Sequence, residues 1–452
     1  MSSIDTGMGH FTPPQTPRPG DSFEWDPINP FDNAFTLNEC TPSGLPSPTP
    51  RRASHSLFGD DLQTAEPIGD NIMVIGGLGY IGSHTTLELL KSGLNVIVID
   101  DLSNSFLDVL ARVRSLADKH WMSTAEDREP GATQPRLAFH NLDYRNPEMH
   151  ALLFRYAASR SRISGVIHFA AFKSVSESIA RPLAYYQNNI SGLIELLITV
   201  QETGIKNFVF SSSATVYGEI ANSGKPLREQ DLVHFTETTT DAQGNTQILT
   251  NGARGITNPY GRTKYFAEAI LADVAQADPT MRITALRYFN PVGCHPSGIL
   301  REDPRQVPTN LFPVIASVIK GKKEHLDVFG TDWPTRDGTA IRDFIHVMDL
   351  AQGHVAALVA ASPKTNPKRD AFRTYNLGSG TGMTVAEVVA SFERASNLKV
   401  PTVLTGRREG DVGSCVAATS RAEIELGWKT TKLVDDCTED LWNALTMADQ
   451  LK

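Results

Sequence analysis

The chain has 452 residues, 40% apolar and 8% aromatic, enough to bury a substantial core spread over about two or three domains. A formal net charge of −9 and the lack of any long Lys/Arg cluster exclude a nucleic-acid surface. Four scattered cysteines (Cys40, Cys294, Cys415, Cys437) give neither a metal site nor a disulfide framework. No apolar run reaches the ~20 residues that span a bilayer, and no secretory signal is visible. The expectation is a cytoplasmic protein with no bound metal and no membrane contact.

Residues 1–69 differ in kind from the rest. Eleven of the 27 prolines fall here and no helical or strand period lasts, so a disordered Pro/Ser-rich leader is expected. Its aromatics, Phe23, Trp25, Phe31 and Phe35, read as occasional residues of a floppy tail, with a docking motif as the other reading. Arg51-Arg52-Ala53-Ser54 and the Ser/Thr-Pro steps are candidate kinase sites.

The folded part opens with a short β-branched run, Ile72-Met73-Val74-Ile75, that leads straight into Gly76-Gly77-Leu78-Gly79-Tyr80-Ile81-Gly82. A helical stretch over 83–91 and a second apolar strand over 96–99 follow, ending in Asp100-Asp101. Strand, glycine turn, helix, strand and acid is the pattern of a dinucleotide site. Gly76, Gly79 and Gly82 let backbone approach a pyrophosphate at a helix N-terminus, and Asp100 accepts ribose hydroxyls and repels a 2′-phosphate. The expected cofactor is therefore NAD and not NADP.

Residues 115–136 are polar and read as a surface loop. Leu142-Asp143-Tyr144 reads as the end of a strand, and Gly165-Val166-Ile167-His168-Phe169-Ala170-Ala171 as another, its small residues suiting passage against a cofactor. Lys173, just past that strand's carboxyl end, is a candidate cofactor contact. Residues 182–200 read as one long helix with Asn188 and Asn189 embedded in it. A strand over 207–210 then delivers Ser211-Ser212-Ser213-Ala214-Thr215-Val216-Tyr217-Gly218, whose hydroxyls could hydrogen-bond a substrate hydroxyl. Asn258-Pro259-Tyr260-Gly261-Arg262-Thr263-Lys264 supplies a helix N-cap, a proline at the first helical position, and Tyr260 and Lys264 four apart on one face. An ammonium beside a phenol near the positive end of a helix is expected to lower the phenol's pKa and make it a proton acceptor.

These stretches closely resemble the UDP-glucose 4-epimerase family of extended short-chain dehydrogenases/reductases. The likeness continues through Leu286-Arg287-Tyr288-Phe289-Asn290-Pro291-Val292-Gly293, Ile341-Arg342-Asp343-Phe344-Ile345-His346-Val347 and Arg407-Arg408-Glu409-Gly410-Asp411, and so covers residues 70–452. It implies Tyr260 as the base at the sugar 4-hydroxyl, Lys264 as its electrostatic partner and Ser213 as the relay between. It implies NAD held by Gly76, Gly79, Tyr80, Ile81, Gly82, Asp100, Asp143, Lys173 and Asn188, together with Tyr260 and Lys264. UDP-glucose or UDP-galactose would be held by Ser213, Asn290, Asn310, Phe329, Arg342, Arg408, Asp411 and Cys415. Two guanidiniums that fork onto diphosphate oxygens and a carboxylate that accepts ribose hydroxyls make physical sense of three of these. The implied cycle oxidises C4 to a ketone, turns the sugar about its diphosphate link and reduces the other face, regenerating NAD each time. The implied fold is α/β: a Rossmann-type doubly wound parallel sheet over 70–285, then a smaller, partly interleaved UDP-sugar domain over 286–452. A homodimer through a two-helix face is also implied.

The chain departs from the family pattern in two places. A polar stretch over 237–255 is longer than the family's and reads as a loop on the surface. Cys415 is small where the family carries either a tyrosine or a small residue near the sugar's C2 substituent, so the N-acetylhexosamine nucleotides should also fit. A 4,6-dehydratase would need an extra acid where this chain has Ala214-Thr215-Val216. A UDP-pentose 4-epimerase would use the same residues, and a catalytically silent sugar-nucleotide-binding regulator is the reading from a different class.

Overall fold

The computed structural model describes residues 68–240, 246–303, 305, 310–362, 369–408 and 410–450. The aromatics and candidate kinase sites of the leader, and Glu409, lie outside these residues. In chain order the strands are β1 (Gly69–Ile75), β2 (Asn95–Asp100), β3 (Leu137–Asn141), β4 (Ser161–His168), β5 (Asn207–Ser213), β6 (Glu237–Thr240), β7 (Thr246–Leu249) and β8 (Arg282–Tyr288). There follow β9 (Asn290–Val292), β10 (Leu326–Phe329), β11 (Ile341–His346), β12 (Phe372–Leu377), β13 (Gly382–Thr384), β14 (Thr402–Thr405) and β15 (Ser414–Cys415). The helices are α1 (Tyr80–Lys91), α2 (Asp108–Ser123), α3 (Pro147–Ala157), α4 (Val175–Ala180), α5 (Pro182–Tyr186), α6 (Gly192–Glu202) and α7 (Pro259–Ala277). The remainder are α8 (Leu311–Ile319), α9 (Val347–Ala360), α10 (Val385–Ser396), α11 (Ser420–Leu426) and α12 (Val434–Gln450).

Seven strands form one parallel sheet in the order β12-β8-β5-β4-β1-β2-β3. Successive side chains of a strand point to opposite faces, and both faces here are covered, so the strands read as continuous apolar runs. Ile72 and Val74 pack with α1, α2, α9 and α11, whereas Met73 and Ile75 pack with α3, α6 and α7. The sheet is therefore doubly wound. Among the smaller sheets, β10 pairs with β14, and β11 lies between β13 and β15 while also pairing with β9. Helices α8, α10 and α12 close a separate core around Phe312, Phe344 and Phe392. Strand β8 runs across position 285, and β12 returns from the later part of the chain to the edge of the large sheet.

Several local expectations need correction. Residues 115–123 are not loop but the second half of α2, because Val109, Leu110, Val113 and Leu116 recur at helical spacing and are buried against the sheet. Burying one such side chain contributes about 2 kcal/mol, which outweighs the polar residues facing solvent between them. Strands β3 and β4 end at Asn141 and His168, so Asp143 and Ala170 lie just beyond the strands. The long helix over 182–202 is interrupted by a π-turn at Gln187–Ser191, where the Asn188 carbonyl accepts the buried Tyr144 hydroxyl at 2.6 Å. The stretch from 237 contains an antiparallel pair of strands, β6 and β7, in which Thr238 pairs with Ile248 and Glu237 with Leu249; the run of β-branched threonines in β6 favours strand over loop.

Candidate active site

Asn258 does cap α7: its Oδ1 accepts the Gly261 N–H at 2.8 Å, with Pro259 at the first helical position. Such a cap contributes about 1 kcal/mol and fixes where the helix begins, and hence where Tyr260 points. Strand β5 runs parallel to β8 and ends at Ser213, whose Oγ accepts from Thr215 N at 3.2 Å and Thr215 Oγ1 at 3.0 Å. Ser213 also lies near enough to the Tyr260 phenol to pull its pKa down, so the expected hydroxyl and phenol share one site. Lys264, only 3% exposed, donates to the Ser211 carbonyl at 2.5 Å, and its ammonium lies 4.7 Å from the Phe210 ring centre and 5.9 Å from that of Tyr260.

The electrostatics of this pair run against the expectation. Burial pushes the Tyr260 phenol up to about 12, with the neighbouring Ser213 hydroxyl pulling it down. Burial lowers Lys264 to about 7, opposed by the Glu268 carboxylate. The ammonium is turned to a backbone carbonyl and desolvated, so burial of the phenol wins over attraction by the cation.

At the other end of the crevice, Gly76 leaves β1 with φ +79, and a Cβ there would lie 2.9 Å from Ala170 N beyond β4. A Cβ at Gly82 would collide with the Gly76 carbonyl oxygen. The N-terminus of α1 behind this turn has no side-chain cap and no acidic residue in its first turn, leaving N–H donors for an anion. Asp100 is 8% exposed and accepts Leu78 N at 2.9 Å, Leu102 N at 3.0 Å and Ser105 Oγ at 2.8 Å. That uses three of the roughly four acceptor positions of a carboxylate and leaves one for a hydroxyl. A glycine cradle, an uncapped helix end and an oriented carboxylate fit a dinucleotide. Tyr80 donates its hydroxyl to the Gly293 carbonyl at 2.7 Å, and Ile81 packs into the core under the turn. Of the other expected contacts, Asp143 is paired with Arg145 at 2.6 Å and Lys173 lies 3.5 Å from Glu302.

A second group gathers around Asp411. Arg408 Nε is 3.0 Å from one carboxylate oxygen and its guanidinium lies 4.5 Å from the Phe329 ring centre; Arg342 Nη2 is 3.5 Å from the other oxygen. Arg342 does not pair with its neighbour Asp343, which is buried and accepts four hydrogen bonds from Ser379, Gly380 and Ala417. Cys415 lies opposite Arg342 in the β11/β15 register, and packs against a cluster that includes Ala214, Val216, Tyr217 and Phe289. That packing joins the Asp411 group to the end of β5. Asn290 sits in β9 opposite Phe344, and Asn310 is an exposed residue at the start of α8. Thr257, beside the N-cap of α7, donates to the Gly410 carbonyl at 3.2 Å.

Sequence reasoning missed the groups beneath the site. Glu268 lies four residues past Lys264 on the same face, and Arg287 is a charged residue in the middle of an apolar strand. Both are fully buried, and Nη2 of Arg287 is 2.7 Å from Glu268. The i, i+4, i+8 spacing was the available signal.

The sequence profile of the NAD dependent epimerase/dehydratase family matches residues 72–378. UDP-glucose 4-epimerase 2 of Arabidopsis thaliana is 44% identical over 373 residues, which cover 82% of this chain and 94% of that protein. Among solved structures, UDP-glucose-4-epimerase from Stenotrophomonas maltophila, with bound NAD and formylated UDP-arabinopyranose, shares 38% identity at a TM-score of 0.70 over 84% of this chain and 99% of its own. The Bifidobacterium longum enzyme in complex with NAD+ and UDP shares 38% at a TM-score of 0.69, with the same coverage of both chains.

Proposed function

The chain belongs to the NAD-dependent epimerase/dehydratase family, and on that premise we propose that it interconverts UDP-glucose and UDP-galactose by inverting the sugar's C4. The observation that carries this reading is buried Lys264 bonded to the end of β5, with Tyr260 one turn before it on α7 and Ser213 acting on the phenol, at the carboxyl end of the parallel sheet. NAD, when bound, supplies a reversible hydride acceptor for C4. Gly76, Gly79, Tyr80, Ile81, Gly82, Asp100, Asp143, Lys173 and Asn188 would hold it, with Tyr260 and Lys264 at the reacting end.

Tyr260 takes the proton of the 4-hydroxyl through Ser213 and returns it after the sugar has presented its other face. With the phenol held at about 12 by burial, this depends on the positive charge of Lys264. Arg342, Arg408, Asp411, Phe329, Asn290 and Asn310 hold the uridine diphosphate. Arg408 stacks on Phe329 and keeps its guanidinium half exposed, which leaves N–H groups free to fork onto phosphate oxygens. A firm grip there and a loose one on the hexose is what rotation of the 4-keto sugar requires. Cys415 leaves room beside C2, so UDP-N-acetylglucosamine and UDP-N-acetylgalactosamine are also substrates. The labour divides along the chain, with residues 70–285 carrying NAD and 286–452 the sugar nucleotide.

The same reading makes the protein a cytoplasmic homodimer. Among the described residues no helix is long and apolar enough to cross a membrane. Leu183 (81% exposed), Ile194, Ile198 and Phe266 on α5, α6 and α7 offer an apolar face for a second copy.

The test is to incubate the purified protein with UDP-galactose, adding no cofactor, and to follow UDP-glucose by chromatography. An equilibrium mixture, abolished by Tyr260→Phe, is the expected result. No conversion even with NAD supplied would overturn the reading.

A further inference from the structure

Beneath the catalytic row lies a buried ionic network that the reaction as described does not use. Tyr260, Lys264 and Glu268 follow one another at steps of four on one face of α7. Glu268 is fully buried. Its Oε1 accepts the Ser212 hydroxyl and Arg287 Nε (3.1 Å), and its Oε2 accepts His234 Nε2 (2.8 Å) and Arg287 Nη2 (2.7 Å). Arg287 on β8, also fully buried, donates further to the Tyr217 hydroxyl at 3.0 Å and to the carbonyls of Glu229 and Leu232 at 3.3 and 3.1 Å. The Tyr217 hydroxyl in turn donates to Asn376 on β12 at 2.7 Å.

A buried ion pair of this kind adds little stability over apolar side chains of the same size, because desolvation offsets the attraction. What it provides is fixed geometry. Three consecutive residues at the end of β5 are each held differently: the Ser211 carbonyl by Lys264, the Ser212 hydroxyl by Glu268, and the Ser213 hydroxyl by Thr215, near the Tyr260 phenol. We propose that Glu268, locked by Arg287 and His234, is a positioning residue of the reaction. Its carboxylate clamps the end of β5 to α7, sets where Ser213 and Lys264 meet Tyr260, and supplies the anion that keeps Lys264 cationic. This rests on the functional reading of Tyr260, Lys264 and Ser213 given above.

The charges around Lys264 support the last part. Facing it are Tyr260, the Phe210 ring, the Ser211 carbonyl, His168 from β4 and Glu268. His168 is held neutral by its burial, helped by the Lys264 charge, and so adds no positive charge of its own. Facing Glu268 are Ser212, His234 and Arg287, with Tyr217 and Glu229 beyond the arginine. Burial drives Lys264 towards neutrality, and Glu268 opposes it.

Glu268→Gln alone would leave Arg287 buried without its counter-charge and endanger folding, so the decisive variant is the double Glu268→Gln/Arg287→Met, which removes both charges at similar volume. It should fold and retain NAD through gel filtration, with kcat for UDP-galactose falling on the order of tenfold while KM stays within about threefold. The alkaline limb of its kcat–pH profile should move down by about one pH unit, because Lys264 has lost its anion. Glu268→Asp keeps the charge but shortens the reach, so kcat should fall while that limb stays in place. A folded double variant whose alkaline limb does not move overturns the proposal, whatever its kcat. Should the double variant not fold, wild-type kcat in Glu268→Asp overturns it instead. Conversion by the unmutated protein and its loss in Tyr260→Phe are measured alongside: failure there removes the functional reading, and failure confined to the Glu268 variants removes only this proposal.

Discussion

Asp343 allows a stability prediction to be worked through bond by bond. Its side chain is fully buried in the middle of β11 next to Arg342. Oδ1 accepts the Ser379 N–H and hydroxyl, both at 2.7 Å, and Oδ2 accepts the N–H groups of Gly380 and Ala417, both at 3.0 Å. One carboxylate thus ties β11 to the turn after β12 and to the exit of β15, which carries Cys415. In Asp343→Asn only one oxygen remains. The least costly orientation turns the new amide towards Ser379, whose hydroxyl can rotate and accept, and orphans a single backbone N–H. That costs about 1–3 kcal/mol for the unsatisfied donor. Asp343→Ala orphans three backbone donors and should cost roughly 3–9 kcal/mol, enough to consume much of a domain's stability. The assay is urea unfolding, with the midpoint and slope compared across the three proteins. An alanine variant within about 0.5 kcal/mol of wild type would refute the reasoning, since it would mean that water or neighbours satisfy all these groups at no cost.

Other residues give sharper single readouts. Gly82→Ala forces a methyl group into the Gly76 carbonyl, so the turn must shift; about 2 kcal/mol of stability and most of the NAD retained on gel filtration should be lost, and retention at wild-type stoichiometry would count against the cradle. His84, His168 and His354 are all buried, and burial lowers them to about 4, 3 and 4 respectively. A folded-state pKa below the unfolded value means that the unfolded chain binds more protons, so stability is full above about pH 6.5 and is lost as pH falls towards 4. Each histidine should contribute on the order of 3 kcal/mol to that loss, and a melting temperature that stays flat from pH 7 to 4 would contradict it. Cys415→Tyr should abolish turnover of UDP-N-acetylglucosamine and leave that of UDP-galactose within about threefold; equal loss of both would show that the residue is structural.

What could be read from the sequence was local and periodic. The glycine turn, the acid that ends β2 and the Asn-Pro cap of α7 each act within a few residues, and each sits where its spacing put it. Helix α2 was misread because its polar residues, Asp118 and Lys119 among them, dominate the composition while four buried residues at helical spacing decide the structure. The pairing of Arg342 with Asp411 joins residues 69 positions apart, and nothing in the sequence around either residue selects it over Asp343 next door. On a strand, neighbours face opposite ways, so Arg342 and Asp343 could not share one site once β11 was extended. The lowered phenol pKa failed for a related reason. Helix spacing brings Lys264 near Tyr260, but it does not say that the ammonium will be turned towards Ser211 or that both groups will be desolvated.

The strand order explains why these separate pieces form one site. From β1 the chain runs outward through β2 and β3, then crosses back to the other side of β1 and continues outward through β4, β5 and β8. The direction of winding therefore reverses between β1 and β4, and the loops leaving those two strands diverge and open a crevice at their carboxyl ends. Gly76 leaves β1 and Ala170 follows β4, close enough that a Cβ on the glycine would lie 2.9 Å from the Ala170 nitrogen. On one side of this crevice, β2 ends in Asp100; on the other, β5 ends in Ser213 with α7 packed beside it. A ligand that reaches from Asp100 to Tyr260 must cross the reversal, and an anionic middle would meet the uncapped end of α1 between them. A dinucleotide has that form. Helical and strand periods can be read one element at a time, but this reversal is a property of the whole chain, and it is what turns a glycine turn and a Tyr/Lys pair 180 residues apart into parts of one crevice.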